Sequence, residues 1–233
     1  MNGIGTNGLY WIIFIGVAVI SWIIQNSLQK DFKEYSNIPS EGNLTGKDVA
    51  QQMLKDNDIY DVTVTCIDGQ LTDNYNPTNK TLNLSRAVYY GSSVASAAVA
   101  AHECGHAVQH ATAYAPLHMR SALVPVVSFA SKWVMWVILA GMLLIKVFPG
   151  LLFAGIILFA LTTLFSFITL PVEINASQRA LVWLNTHQIT SPQSHPKAQR
   201  ALRLAAYTYV VAALSSLATL LYYIMIFTGG RRD

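Results

Sequence analysis

The segment LLFAGIILFALTTLFSFITL (151–170) decides the fold class, because it holds twenty consecutive residues without a charge. A helix of about 20 apolar residues is long enough to cross the hydrocarbon core of a bilayer. Three other stretches are also long and apolar, and they run over residues 9–28, 123–145 and 204–227. The sequence therefore predicts a predominantly α-helical membrane protein with about four transmembrane helices.

The amino-acid composition also indicates a membrane protein. Of 233 residues, 53% are hydrophobic and only 12% are charged, whereas soluble domains carry about 25% charged residues. The net charge of +3 comes without a basic tract, so nucleic acid is not expected as a partner. The two cysteines, Cys66 and Cys104, are too few for a disulfide framework.

The four predicted spans divide the chain into five segments. These are an N-terminal anchor (1–28), a catalytic segment (29–121), a transmembrane hairpin (122–171), a second catalytic segment (172–203) and a C-terminal span with a short tail (204–233). Residues 1–24 contain no Lys or Arg, so the first span lacks the basic start of a cleaved signal peptide and is expected to be retained. Lys132 interrupts the second span. Either it faces a protein interior, or residues 117–131 lie at the membrane interface.

Basic residues predict the orientation of the chain in the membrane. Segments 29–121 and 172–203 lie on one side and carry eleven Lys and Arg residues. The other side carries three, Lys146, Arg231 and Arg232. The positive-inside rule therefore places the two catalytic segments in the cytoplasm.

Between the first two spans, the pattern predicts a small α+β portion. GKDVAQQMLKDN (46–57) has the apolar spacing of a helix, and DVTVTCI (61–67) alternates as a strand does. Residues 71–85 indicate two short strands around a turn at 76–79. SSVASAAVAAHECGHAVQHA (92–111) is typical of one Ala-rich helix that begins after a serine cap.

His102-Glu103-Cys104-Gly105-His106 within that helix has the H-E-x-x-H spacing. Residues four apart lie on one helix face, so both imidazoles can reach one ion. Zinc held in this way lowers the pKa of a bound water, and the intervening Glu103 can accept the proton of that water as general base. The motif therefore predicts His102 and His106 as ligands of one Zn²⁺.

A catalytic zinc site needs a third protein ligand. His110 lies eight residues after His102, which is about 12 Å along a straight helix and too far for one shared ion. Thr112 occupies the position at which a metzincin would have its third histidine. Glu173 is the better candidate, because it follows the third span directly, behind Pro171, at the expected start of a helix. Two spans separate His106 from Glu173, so the chain has returned to the same side.

HECGH, the LPVEINAS segment (170–177) that follows the hairpin, and LTDNYNPTNKTLNLS (71–85) together resemble one known family. This family comprises the YugP-type bacterial membrane proteins, which are neutral zinc metallopeptidases. The chain is more distantly similar to the HtpX-type membrane proteases of the Glu-zincin group. The resemblance covers nearly the whole chain. It implies a zincin-like fold around the metal, one zinc per chain and hydrolysis of peptide bonds, with peptides or membrane proteins as substrates, in the bacterial inner membrane.

In the Glu-zincin group the third ligand lies in a Glu-x-x-x-Asp helix, and the Asp orients a ligand histidine. Glu173 matches the first position, but Ser177 stands where the Asp would be. The sequence therefore leaves open which residue orients the histidines, and Asn175 is one candidate. The resemblance also implies that the strands of 71–85 form an edge to which an extended substrate could add. Candidates for stabilising the oxyanion of the reaction are Tyr89, Tyr90, Tyr114, Arg120, His187 and His195.

Three other functions compete with a membrane-tethered peptidase. An intramembrane protease of the site-2 type would need the 92–111 helix to be a span, but its apolar run (94–101) is too short. A catalytically inactive, metal-binding membrane scaffold would not need Glu103. A transporter is disfavoured because Lys132 is the only charge in the centre of a predicted span.

Overall fold

The structure is a computed structural model that describes residues 6–229. Arg231 and Arg232, which entered the charge count, lie outside the described residues, as do the first five residues. Helices dominate this part of the chain: α1 (Thr6–Tyr35), α2 (Gly46–Asp56), α3 (Arg86–Tyr89), α4 (Val94–Ala111), α5 (Ala115–Leu143), α6 (Pro149–Thr186) and α7 (His195–Gly229). The strands are β1 (Thr63–Ile67), β2 (Asn74–Asn76) and β3 (Thr81–Ser85), and a short 3-10 helix covers Glu41–Asn43.

The chain folds into two compact units. The long-helix unit comprises the described parts of Met1–Ile23, Met119–Leu170 and Thr208–Asp233. The mixed unit comprises Ile24–His118 and Pro171–Tyr207, and it contains the sheet, α2, α3 and α4. Since α6 continues without a break past Leu170, it contributes residues to both units.

Helix α2 and the sheet provide the core of the mixed unit. Thr45 caps α2: its hydroxyl accepts the Asp48 N–H while the Asp48 carboxylate accepts the Thr45 N–H, so two free backbone donors are satisfied. The apolar face of α2 then places fully buried Val49 and Met53 against α4. The predicted helix over 46–57 is confirmed.

The sheet has the order β1–β3–β2. Strand β3 lies in the middle, parallel to β1 and antiparallel to β2. Leu82 and Leu84 of β3 are fully buried, as expected for alternate residues that point to one face of a strand. Strand β2 is an edge of the sheet, it contacts α4, and its Tyr75 pairs with Leu82. The predicted strands, and the turn between β2 and β3, are confirmed.

Helix α4 is the buried centre of the mixed unit. Ser93 precedes its first residue and accepts the Ser96 N–H through its hydroxyl, which caps the helix as predicted. Alanines at 97, 98, 100, 101 and 107 are buried. Their small size lets the neighbouring elements pack close to the α4 backbone on several sides, and this burial fixes the position of α4 in the unit.

Four helices of the described chain, α1, α5, α6 and α7, are long and apolar enough to cross a membrane. Large apolar side chains on them are exposed, among them Trp22 at 67% and Trp136 at 67%. Within the long-helix unit, α5 and α6 pack closely at Gly141. A Cβ atom at this position would lie only 2.5 Å from the Leu152 Cα atom. Lys132 of α5 is exposed. The alternative that Lys132 faces the interior of this chain is therefore wrong. The other alternative, that residues 117–131 lie at the membrane interface, stays a prediction.

The expected helix start at Glu173 is wrong, because α6 runs through Pro171 without interruption. A proline inside a helix removes one backbone hydrogen bond and costs about 3 kcal/mol. Beyond Pro171, one stripe of α6 is fully buried, with Val172, Ala176, Ala180 and Leu184 at intervals of four residues. Burying a single Val or Leu side chain contributes about 1.5–3 kcal/mol, so this packing offsets the cost of the proline.

The helices also extend beyond the predicted spans. Helix α1 continues to Tyr35, and α7 already begins at His195. Hydropathy marks only the apolar part of a helix, whereas the backbone hydrogen bonds continue through a polar segment such as QKDFKEY (29–35). The five-segment division of the chain stays a prediction.

Candidate metal centre

His102 and His106 lie one turn apart on α4, as their spacing predicts. Their ring centroids are 4.9 Å apart and the rings are nearly perpendicular, at 82°. The side chains are mostly buried, with 14% exposed for His102 and 10% for His106. Little water therefore competes for the nitrogen atoms that they present.

Glu173 of α6 completes a cluster with the two histidines. Its Oε2 atom lies 3.3 Å from His102 Nε2 and 3.6 Å from His106 Nε2. The side chain is only 3% exposed. One ligand atom from each of the three residues lies within 4.8 Å of the others. The structure thus brings together the three residues that the sequence singled out as metal ligands.

Gly105 allows α4 and α6 to approach closely enough for this cluster. A Cβ atom at this position would lie 2.6 Å from the Ala176 carbonyl oxygen and 3.0 Å from the Ala176 Cα atom. Any side chain on residue 105 would therefore push the backbone of α6 away from α4. Ala176 lies one helical turn beyond Glu173, so the contact is close to the cluster itself.

The three donors fit a zinc ion. Zinc binds imidazole nitrogen and carboxylate oxygen at about 2.0–2.2 Å in a tetrahedral arrangement, which places neighbouring donors about 3.4 Å apart. The separations of 3.3 and 3.6 Å between the Glu173 oxygen and the two histidine nitrogens match that spacing, and all three atoms lie within 4.8 Å of one another. His102, His106 and Glu173 would supply three of the four positions, and the fourth would remain open as in catalytic sites.

Gln109 holds His106 from the side opposite to Glu173. The His106 Nδ1–H donates to the Gln109 side-chain oxygen at 3.1 Å. The Gln109 amide nitrogen donates in turn to the Val172 carbonyl at 2.8 Å and to the Asn175 side-chain oxygen at 3.0 Å. Because the Val172 carbonyl can only accept, it fixes the orientation of the fully buried amide. With its hydrogen on Nδ1, neutral His106 keeps a lone pair on Nε2 for a metal.

Ser177 contacts His102 at the corresponding ring nitrogen. Its hydroxyl lies 3.1 Å from His102 Nδ1 and can accept the hydrogen of that nitrogen. The sequence left open which residue orients the histidines, and the structure places Ser177 and Gln109 beside them. Asn175 does not contact a histidine: it accepts from Gln109 and, at 2.8 Å, from Arg179 Nε.

Charge around His106 favours its protonated form. Burial alone would lower the pKa of His106, but the Glu173 carboxylate, 3.6 Å from Nε2, and the negative charge of Glu103 raise it above the usual value. A metal competes with a proton for Nε2, since only the neutral imidazole is a ligand. The same carboxylates that attract a proton would attract a divalent cation.

Glu103 follows His102 directly on α4 and is not one of the three clustered residues. It is 9% exposed. Its negative charge contributes to the raised pKa of His106. The role of Glu103 as general base stays a prediction.

The other candidate residues have different partners. His110 contacts Tyr75, whose hydroxyl lies 3.1 Å from His110 Nδ1. His187 stacks on Trp183 and His195 contacts Thr190. Tyr89 and Tyr90 stack edge to face on each other, Tyr114 is half-buried just after α4, and Arg120 lies in α5.

Sequence reasoning missed Gln109. The available signal was its spacing, because a residue three positions after His106 lies on the same helix face. A polar side chain on an otherwise small and apolar helix is a further indication that it has a buried partner.

Comparisons with known proteins agree with this geometry. A family model described as "Putative neutral zinc metallopeptidase" matches residues 10–228. A protein of Bacillus subtilis (strain 168), "Putative membrane protease YugP", is 41% identical over 223 residues, which cover 95% of this chain and 98% of the relative. No solved structure shows a significant match. Since the family model and the relative both cover nearly all of its length, the chain belongs to the family described as "Putative neutral zinc metallopeptidase".

Proposed function

We propose that this protein is a membrane-embedded, zinc-dependent endopeptidase. One observation supports this most strongly: two imidazole nitrogens and one carboxylate oxygen lie within 4.8 Å of one another, with the oxygen 3.3 and 3.6 Å from the two nitrogens. The family to which the chain belongs supplies the metal and the reaction class.

Each residue of the centre has a role in this proposal. His102, His106 and Glu173 hold the metal, Gln109 keeps His106 in the tautomer that binds it, and Ser177 orients the ring of His102. Zinc in such a ligand set supplies Lewis-acid chemistry, which makes water more acidic and polarises a carbonyl group. Glu103 accepts the proton of the attacking water and returns it to the nitrogen of the leaving amine.

The proposal also covers the surroundings of the protein. Four long apolar helices and the name of the Bacillus relative support a place in a bacterial inner membrane. The excess of Lys and Arg in segments 29–121 and 172–203 favours a catalytic centre on the cytoplasmic face. Peptides and membrane proteins presented at that face are the proposed substrates, and no nucleic acid is expected as a partner.

The packing of α4 favours this proposal over intramembrane proteolysis of the site-2 type. Helix α4 is not one of the helices that are long and apolar enough to span a membrane within residues 6–229. It packs instead on α2 and on the sheet. In this proposal an extended substrate adds to the sheet along the β2 edge, beside α4.

The substitution Glu103→Gln tests the proposal, because it keeps the shape of the side chain and removes its basicity. We expect zinc content to stay at the wild-type level while cleavage of an unfolded protein such as casein falls by at least about 10²-fold. Glu41→Gln, the same change at an exposed position, is the matched control and should leave cleavage unchanged. Wild-type cleavage by the Glu103→Gln protein would show that the general base lies elsewhere.

A zinc-loaded wild type without any cleavage would favour the metal-binding scaffold instead. If the wild type does cleave, a chelator should abolish the cleavage and added zinc should restore it. Only then does the cleavage belong to this metal centre.

A further inference from the structure

A half-open pocket of about 520 Å³ lies in the mixed unit, next to α4. Its walls come from the segment before β1, from β2, from the end of the β2–β3 turn, and from α4. The lining residues that matter most are Ile59, Asp61, Tyr75, Lys80, Ala107 and His110. None of these was assigned a role in metal binding, so the pocket is distinct from the donor set.

The pocket opens on the side of α4 that carries Glu103. Ala107 lies four residues after Glu103 and His110 lies seven after it, so all three project from one face of the helix. Along the axis, Ala107 is about 6 Å and His110 about 10 Å beyond Glu103. Successive residues of an extended peptide are about 3.3 Å apart. A substrate residue two or three positions from the reacting bond can therefore place its side chain in this pocket.

The polar side chains of the lining are paired with one another. Lys80 forms an ion pair with Asp61, and the Tyr75 hydroxyl contacts His110 Nδ1 at 3.1 Å. The ring centroids of Tyr75 and His110 lie 5.9 Å apart and tilted at 50°. These pairs leave the aromatic faces and the aliphatic wall around Ile59 as the surfaces for a guest. Such surfaces favour a large apolar or aromatic side chain over a charged one.

We propose that this pocket is the specificity subsite of the enzyme, and that it accepts a large apolar or aromatic side chain two or three residues from the scissile bond. This inference rests on the proposed function, since a subsite has a meaning only beside the metal centre. Tyr75, His110 and Ala107 are then specificity-determining residues of the reaction.

Two peptide hydroxamates test the inference by binding alone, without turnover. They share a zinc-chelating hydroxamate and a backbone, and they differ only in carrying a benzyl or a methyl side chain. Full-length, zinc-loaded protein in detergent should bind the benzyl compound at least about tenfold more tightly. In Ala111→Trp, which adds a ring at an exposed position of the lining, this ratio should fall to about one while affinity for the methyl compound is kept.

A tryptophan on another exposed helix position, Gln51→Trp in α2, is the matched control and should keep the wild-type ratio. If Ala111→Trp does not fold, Tyr75→Ala removes an aromatic wall and should lower the same ratio. Equal affinities of the wild type for both compounds, or an unchanged ratio in the folded pocket variant, would overturn the subsite and leave the metal centre intact. Binding of neither compound would overturn the proposed function, and the subsite with it.

Discussion

The substitution Gly105→Ala tests whether the close approach of α4 and α6 determines the affinity of the site for its metal. Alanine is normally favoured over glycine in a helix by about 1 kcal/mol. At residue 105 the added Cβ atom would lie 2.6 Å from the Ala176 carbonyl oxygen. We therefore expect a loss of stability and of metal affinity at a position where helix propensity alone predicts a gain.

The size of the displacement follows from the geometry. Ordinary van der Waals contact begins at 3.4 Å, so the two backbones must separate locally by about 0.8 Å, the difference between 3.4 and 2.6 Å. The Glu173 carboxylate lies 3.3 and 3.6 Å from the histidine nitrogens, and a shift of this size would move it to about 4 Å or more. Zinc sites tolerate changes of about 0.2 Å in ligand distance. We expect zinc affinity to fall about 10–100-fold and unfolding to become easier by about 1–3 kcal/mol.

Zinc affinity is measured by chelator competition on protein purified in detergent, and stability by thermal unfolding of the same samples. Gly16→Ala is the matched control, because nothing lies within 4 Å of a Cβ atom at that helical position. It should match wild type in zinc affinity. A Gly105→Ala protein with wild-type zinc affinity would refute the reasoning, since the carboxylate would then reach the metal without the close helix contact.

Two further outcomes follow from single side chains. Gln109→Leu leaves the His106 Nδ1–H and the Val172 carbonyl without their partner, so zinc affinity should fall about 10–100-fold in the same competition assay; an unchanged affinity would contradict the orienting role. Cys66 is exposed, whereas Cys104 is buried and burial, with the nearby Glu103 charge, raises its thiol pKa. A membrane-impermeant maleimide should therefore label Cys66 in inverted vesicles and not in intact spheroplasts, and labelling from outside would reverse the proposed orientation.

The parts of the structure that depend on local patterns could be predicted from the sequence. Helix α4 follows from a serine cap and an Ala-rich run, and the H-E-x-x-H spacing places His102 and His106 on one face of it. The strands follow from alternation, and four apolar runs indicate the four long helices. Each of these signals is contained within a few neighbouring residues.

The features that were missed depend on contacts between distant segments. Whether α6 continues through Pro171 is decided by the burial of its later residues, such as Val172 and Leu184, and not by the proline alone. The partners of the histidines depend on how α4 and α6 are aligned, which places Ser177 and Gln109 at hydrogen-bonding distance. No local pattern encodes this alignment.

The central claim is that Glu173, with the two histidines of α4, holds one zinc ion. Its most direct test is the metal content of wild-type and Glu173→Ala protein, purified in detergent and measured by elemental analysis. The account predicts about one zinc per wild-type chain and a sharp loss in the variant, because two protein ligands rarely retain a catalytic zinc. A variant that keeps the wild-type zinc content, or a wild type that binds no zinc, would contradict it.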